Sequence, residues 1–129
     1  MLNERKGVWG IRKDVLEMIS NAAIETYPNE FLAAMRAEGG VISELLLLPG
    51  TISGETSGTL MLHMLPIDYT VVGSVHSHPG YSARPSDADL QLFSHFGAVH
   101  IITCLPFDNT SWKAYNLNGE RIPLEVVRD

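Results

Sequence analysis

The chain has 129 residues, 45% of them hydrophobic and 19% charged, with a formal net charge of −6. That length suits one domain, residues 1–129, able to bury about two thirds of the surface of its unfolded chain. The acidic balance argues against a nucleic-acid binder, which would carry a basic patch. Apolar runs such as 31–35 and 45–48 are too short to span a membrane. Residues 1–6 lead into no apolar signal-peptide core, and the single Cys104 allows no internal disulfide. Both features make the cytoplasm the expected compartment.

Taken in order, residues 11–26 place Ile11, Val15, Met18, Ile19, Ala22 and Ala23 on one stripe, with Arg12, Lys13, Asp14 and Glu17 facing away. The spacing predicts an amphipathic helix that ends before Pro28. The apolar segment 30–36 follows a Tyr-Pro-Asn turn, and Gly39-Gly40 would close a hairpin from it into a strand over 41–48. That pairing favours strand for 30–36 although its alanines favour helix. Residues 49–58 read as a surface loop and the expected contact surface for a partner beside the motif, followed by strands at 59–64 and 70–75. A helix over 87–96 follows, with Leu90 and Phe93 on its buried side and Gly97 at its C-terminal end. A buried strand over 99–105 precedes a hairpin joining 111–116 to 120–127 across Asn118-Gly119, a type I′ turn signal. The order of elements predicts an α/β fold, a mixed β-sheet with helices packed on its faces.

The chemistry concentrates in residues 76–89, His-Ser-His-Pro-Gly-Tyr-Ser-Ala-Arg-Pro-Ser-Asp-Ala-Asp. In an extended chain His76 and His78 point to one face, roughly 6.6 Å apart along the strand, so one cation could lie between their rings. Asp89 falls in the first turn of the following helix, where the peptide dipole favours a carboxylate. Ser86 with Asp89 also reads as a capping box with Asp in place of Glu. A cap does not exclude a site, because the hydroxyl can serve one while the backbone starts the helix. Two imidazoles, one carboxylate and a position left for water form the ligand set of a catalytic zinc.

His76-Ser77-His78-Pro79, then Ser86-Asp87-Ala88-Asp89 after Pro85, resembles the JAMM motif H-[ST]-H-P-x6-S-x-x-D of the MPN+ metalloproteases. The resemblance covers nearly the whole chain. It implies an MPN/JAMM domain with a cytidine deaminase-like architecture, and one zinc ion on His76, His78 and Asp89. It also implies a Glu general base opening an early strand, in a pattern close to E-x-x-[GA]-L-L-x-G, and an oxyanion donor at Ser86. Glu25, Glu30, Glu38 and Glu44 are the early acidic residues. Glu25 lies towards a polar helix face, Glu38 sits in a turn, and strand alternation sends Glu44 to solvent. Glu30 opens an apolar segment and matches the pattern, with Ala34-Met35 for the Leu pair and Ala37 for Gly. These departures concern packing rather than chemistry, so Glu30 is the candidate base.

The activity implied is hydrolysis of the amide bond between the C-terminus of a small ubiquitin-like modifier and a lysine of its target. The family's small stand-alone prokaryotic members and the deubiquitinases of the proteasome lid are the models for it. Trimming the C-terminus of a sulfur-carrier protein is an alternative within the family, and a non-catalytic MPN scaffold is another, although scaffolds characteristically lose ligands that are present here. A zinc deaminase would need P-C-x-x-C, which one cysteine excludes. The expected partners are a ubiquitin-like modifier and its conjugates, with no nucleic acid, no membrane and no oligomeric state assigned. The remaining conspicuous residues read structurally. His95 suits a helix C-terminus, His100 a core or edge position, and Cys104 a small buried hydrophobe. Trp112 and Tyr115 read as packing residues, Ser77 as an orienting residue, and His63 as a strand residue among apolar neighbours.

Overall fold

A computed structural model describes residues 7–47 and 70–128. The expected loop at 49–58, the strand at 59–64 and His63 lie outside the described residues. Ten elements are described: β1 (Gly10–Arg12), α1 (Lys13–Thr26), β2 (Leu32–Glu38), β3 (Val41–Leu47), β4 (Val71–His78), α2 (Asp87–His95), β5 (Val99–Cys104), β6 (Trp112–Tyr115), β7 (Arg121–Ile122) and β8 (Glu125–Val127). The eight strands form one mixed sheet in the order β7-β6-β5-β4-β2-β3-β1-β8. No helix among the described residues is long and apolar enough to cross a membrane.

β2 and β3 form the expected hairpin. Glu38 pairs with Val41 across Gly39 and Gly40, whose φ angles of 62° and 83° make the two-residue turn a side chain would resist. β2 then lies antiparallel to β4, with Leu32 opposite His76, and β4 lies parallel to β5, with His76 beside Ile102 and His78 beside Cys104. Gly73 permits that close approach, because a Cβ there would overlap the Val99 carbonyl.

The sheet is curled. β7 and β8 are its two edges, yet only Pro123 and Leu124 separate Ile122 from Glu125. Three Cα–Cα steps reach about 11 Å, whereas eight flat strands would hold their edges about 34 Å apart. The sheet therefore wraps towards closure, and α1 fills its inside. Val15, Leu16 and Ile19 pack there with Ala33, Met35, Ile42, Val75, Ile101 and Ala114. α2 lies on the opposite face, where Leu92 meets Leu32 and Ala34, and Phe93 meets Ile102, Cys104 and Tyr115. The alternation of β2 supplies both faces: Ala33 and Met35 inward, Leu32 and Ala34 outward.

Several local expectations shift. Ile11 belongs to β1, which pairs with β3 and β8, rather than to α1. Within α1, Leu16 is buried and Met18 is 45% exposed. In α2 it is Leu92, not Leu90, that joins Phe93 on the buried side. Around α1 the curled sheet widens the buried arc, and at α2 the contact with Leu32 and Ala34 selects Leu92, neither of which single-stripe periodicity captures. The 116–120 hairpin is a three-residue loop rather than a type I′ turn. Gly119 N–H returns to the Asn116 carbonyl, and only Gly119, at φ 81°, turns left-handed. The expected strand 120–127 is split at Pro123 into β7 and β8, at opposite edges.

Candidate metal centre

β4 runs on through the H-x-H segment to His78, three residues past the strand end expected at Val75. Ser74, His76 and His78 therefore share the α2 face of the sheet. β4 stays regular here because it is paired on both sides, with β2 and β5.

Asp89 arrives from the other direction. Ser86 is the N-cap of α2, its Oγ accepting from Asp89 N–H at 3.1 Å. Ser86 N–H in turn donates to Asp89 Oδ2 at 2.8 Å, completing a capping box. The fully buried ring of Phe93, one turn on, holds the helix against the sheet; burying such a side chain stabilises by about 1.5–3 kcal/mol. The same carboxylate that closes the box faces both histidines. Asp89 Oδ1 lies 2.9 Å from His76 Nε2, and Asp89 Oδ2 lies 3.0 Å from His78 Nε2. The two Nε2 atoms are 3.2 Å apart.

One ligand atom from each of His76, His78 and Asp89 lies within 4.8 Å of the others. Two nitrogens bound to one tetrahedral zinc at 2.0–2.1 Å would be separated by about 3.3 Å. The observed nitrogen spacing fits that edge, so the three residues match a zinc ion with one coordination position open to water. His78 also makes a contact through Nδ1 with the Ser82 carbonyl, 3.1 Å away. That contact makes Nδ1 the protonated nitrogen and leaves Nε2 for the cation.

The electrostatics are those of a tight acid–base cluster. Burial would raise the Asp89 carboxyl, but hydrogen bonds from His76 and His78, the charge of His76 and the Ser86 N–H outweigh it and hold it well below the usual carboxylate range. Burial opposes protonation of His78, yet the hydrogen bond and charge of Asp89, with smaller help from Ser82 and Glu30, raise it. In the metal-free cluster protons and a cation thus compete for the same atoms.

Glu30 lies just outside β2, which opens at Leu32 rather than at Glu30 as expected. The pairing of Leu32 with His76, continued through the Phe31–Ser77 hydrogen bonds, directs the chain at half-buried Glu30 towards the His78 end of β4. Its influence on His78 agrees with that placement. Of the other early acids, Glu25 and Glu38 are exposed, and exposed Glu44 pairs with Arg36 at 3.5 Å. Ser86 is exposed at the lip of the cluster. Its Oγ accepts the capping bond, which leaves its O–H to donate outward.

Three features extend what the sequence showed. Of the core or edge position expected for His100 it takes the core, with Nδ1 2.7 Å from Ser74 Oγ, Nε2 3.1 Å from the Gly97 carbonyl, and its ring stacked on Phe93. Burial lowers it to about 4, so it stays neutral. Tyr115 does more than pack, since its hydroxyl donates to the Ala83 carbonyl at 2.8 Å and ties the 79–86 segment to β6. Ser77 binds Phe31 through both its backbone and its hydroxyl. The one signal for these was polar residues inside apolar strands. Cys104 is as expected, a buried thiol pushed up by burial.

Known proteins share this arrangement. A family model described as prokaryotic homologs of the JAB domain matches residues 12–118. A probable metalloprotease of Haloferax volcanii is 39% identical over 130 aligned positions, covering 93% of this chain and 80% of that protein. A solved structure of JAMM, described as a metalloprotease-like zinc site in the proteasome and signalosome, is 40% identical with a TM-score of 0.75, covering 93% of this chain and 98% of that one. A JAB1/MPN domain protein from Archaeoglobus fulgidus is 39% identical with a TM-score of 0.74, covering 92% of this chain and 96% of that one. With the fold, the His-His-Asp grouping and these likenesses in agreement, the chain belongs to the prokaryotic JAB-domain family of JAMM-type proteins.

Proposed function

We propose that this protein is a zinc-dependent isopeptidase of JAMM type, residues 1–129 forming one catalytic domain. It hydrolyses the amide bond between the C-terminus of a small ubiquitin-like modifier and a lysine side chain, in the cytoplasm. The observation that carries the reading is the convergence of His76 Nε2, His78 Nε2 and the Asp89 carboxylate, with Glu30 near enough to favour the charged form of His78. The likeness to a probable metalloprotease supports the enzyme class.

In this reading His76, His78 and Asp89 hold the zinc. A bound zinc supplies Lewis acidity, making water acidic enough to ionise near neutral pH and polarising the scissile carbonyl. Glu30, towards the His78 end of β4, orients the attacking water, takes its proton and passes it to the departing lysine amine. Ser86 donates its free O–H to the carbonyl oxygen as negative charge develops there. Asp89 serves two ends at once, since the capping box fixes its carboxylate through the Ser86 N–H and aims the Ser86 hydroxyl through the Asp89 N–H.

The test is cleavage of a lysine-linked conjugate of a small ubiquitin-like protein by zinc-loaded parent and by Glu30→Gln. The expected outcome is release by the parent and a fall of about 10²–10⁴-fold in Glu30→Gln, with one zinc per chain in both. Undiminished turnover in Glu30→Gln would overturn the base assignment. Release only of a C-terminal peptide from a sulfur-carrier protein would replace the isopeptide substrate with a linear one.

A further inference from the structure

Ser77 lies between His76 and His78, yet the chemistry above does not use it. Its side chain alternates to the α1 face, where the residue is 1% exposed. Its N–H donates to the Phe31 carbonyl at 3.0 Å, as an antiparallel pair requires. The return bond is unusual. Phe31 N–H donates at 2.8 Å to Ser77 Oγ, a side-chain acceptor in place of the main-chain carbonyl. The regular ladder of β2 stops at this residue, and Glu30 is the next residue out. Phe31 itself is 6% exposed and packs in the α1 core, so the backbone beside Glu30 is anchored both by its ring and by the Ser77 hydroxyl.

We propose that Ser77 is a positioning residue for Glu30: its hydroxyl, by receiving the Phe31 N–H, sets where the Glu30 carboxylate stands relative to His78. The inference rests on the reading of Glu30 as general base. Without the hydroxyl, Phe31 N–H is left buried without an acceptor or closes onto the Ser77 carbonyl. In the first case the backbone carrying Glu30 loses its anchor, and in the second it shifts. Ser77 touches neither substrate nor metal and acts through Glu30.

The experiment compares full-length, zinc-loaded parent, Ser77→Ala, Ser77→Thr, Glu30→Gln and the Ser77→Ala/Glu30→Gln double variant on the lysine-linked conjugate. Ser77→Ala is expected to bind one zinc with the parent's affinity and to lose about 10²-fold in kcat, the scale of a misplacement of about 1 Å, with KM little changed. Ser77→Thr, which keeps the hydroxyl, should restore kcat. In the Glu30→Gln background Ser77→Ala should cost nothing further, because the group it positions is gone. An equal fold-loss in both backgrounds, parent-like kcat in Ser77→Ala, or loss of zinc would overturn the proposal. Parent-like turnover in Glu30→Gln would instead remove the base reading, and the inference with it. Should the parent cleave no conjugate, the substrate reading fails on its own and hydrogen exchange at the Phe31 amide decides. Faster exchange in Ser77→Ala than in parent and Ser77→Thr, with zinc affinity intact, upholds the clamp; unchanged exchange overturns it.

Discussion

Replacing Ser86 separates two duties that one side chain performs. Ser86→Ala removes the oxygen that accepts from Asp89 N–H at 3.1 Å and also the hydroxyl that faces the scissile carbonyl in the proposed reaction. Loss of a serine N-cap to alanine costs about 1 kcal/mol, or about 4 °C in Tm for a chain of this size. Loss of an oxyanion donor raises the barrier by about 2.7–4 kcal/mol, about 10²–10³ in kcat. Ser86→Gly breaks the link between the two. Glycine is tolerated at an N-cap for a few tenths of a kcal/mol but donates nothing from its side chain. Urea unfolding, zinc content and initial rates on the conjugate should therefore show both variants similarly slow, only the alanine variant clearly destabilised, and zinc retained in both. Near-parent kcat in Ser86→Gly, or rates that track stability across the two variants, would refute the donor role and leave Ser86 a cap alone.

Two further outcomes follow from the same geometry. His78→Ala removes one of three converging donors and is expected to lose both zinc, measured after dialysis, and turnover; retention of one zinc per chain would refute the ligand set. His100 is buried neutral, its pKa lowered to about 4 by burial, against about 6.5 in the unfolded chain. The unfolded state therefore binds the extra proton between these values. The His100 contribution is complete above pH 6.5 and is lost as pH falls through about 4, amounting to about 3 kcal/mol. Urea unfolding between pH 6.5 and 4 should show this slope in the parent and a flatter one in His100→Gln; equal slopes would refute the assignment.

The site was more legible than the packing around it. H-x-H followed by S-x-x-D is a local pattern, and its chemistry depends on residue types that few other roles require in that order. Glu30 is the candidate through the resemblance and through its place ahead of an apolar run, and the β2–β4 register, with Leu32 opposite His76, is what turns that end of β2 towards the cluster. Leu92 and Leu90, or Leu16 and Met18, cannot be ranked from periodicity, because both members of each pair lie near the edge of a helical stripe. β1 has three residues, too few for any period to show. Pro123 was visible, but its splitting of one strand into two sheet edges depends on how the whole sheet curls.

By itself the sequence determined the donor atoms, the turn at Gly39-Gly40, the cap on α2 and the mixed α/β class, since each depends on residues within one or two turns of each other. The tertiary structure alone decided that Asp89 meets both imidazoles, that His100 takes the core rather than the edge and bonds Ser74, and that Ser77 orients Phe31. Those contacts join residues 11 to 46 positions apart. Strand register and sheet curvature set them, and both are properties of the packed chain that no local stretch carries.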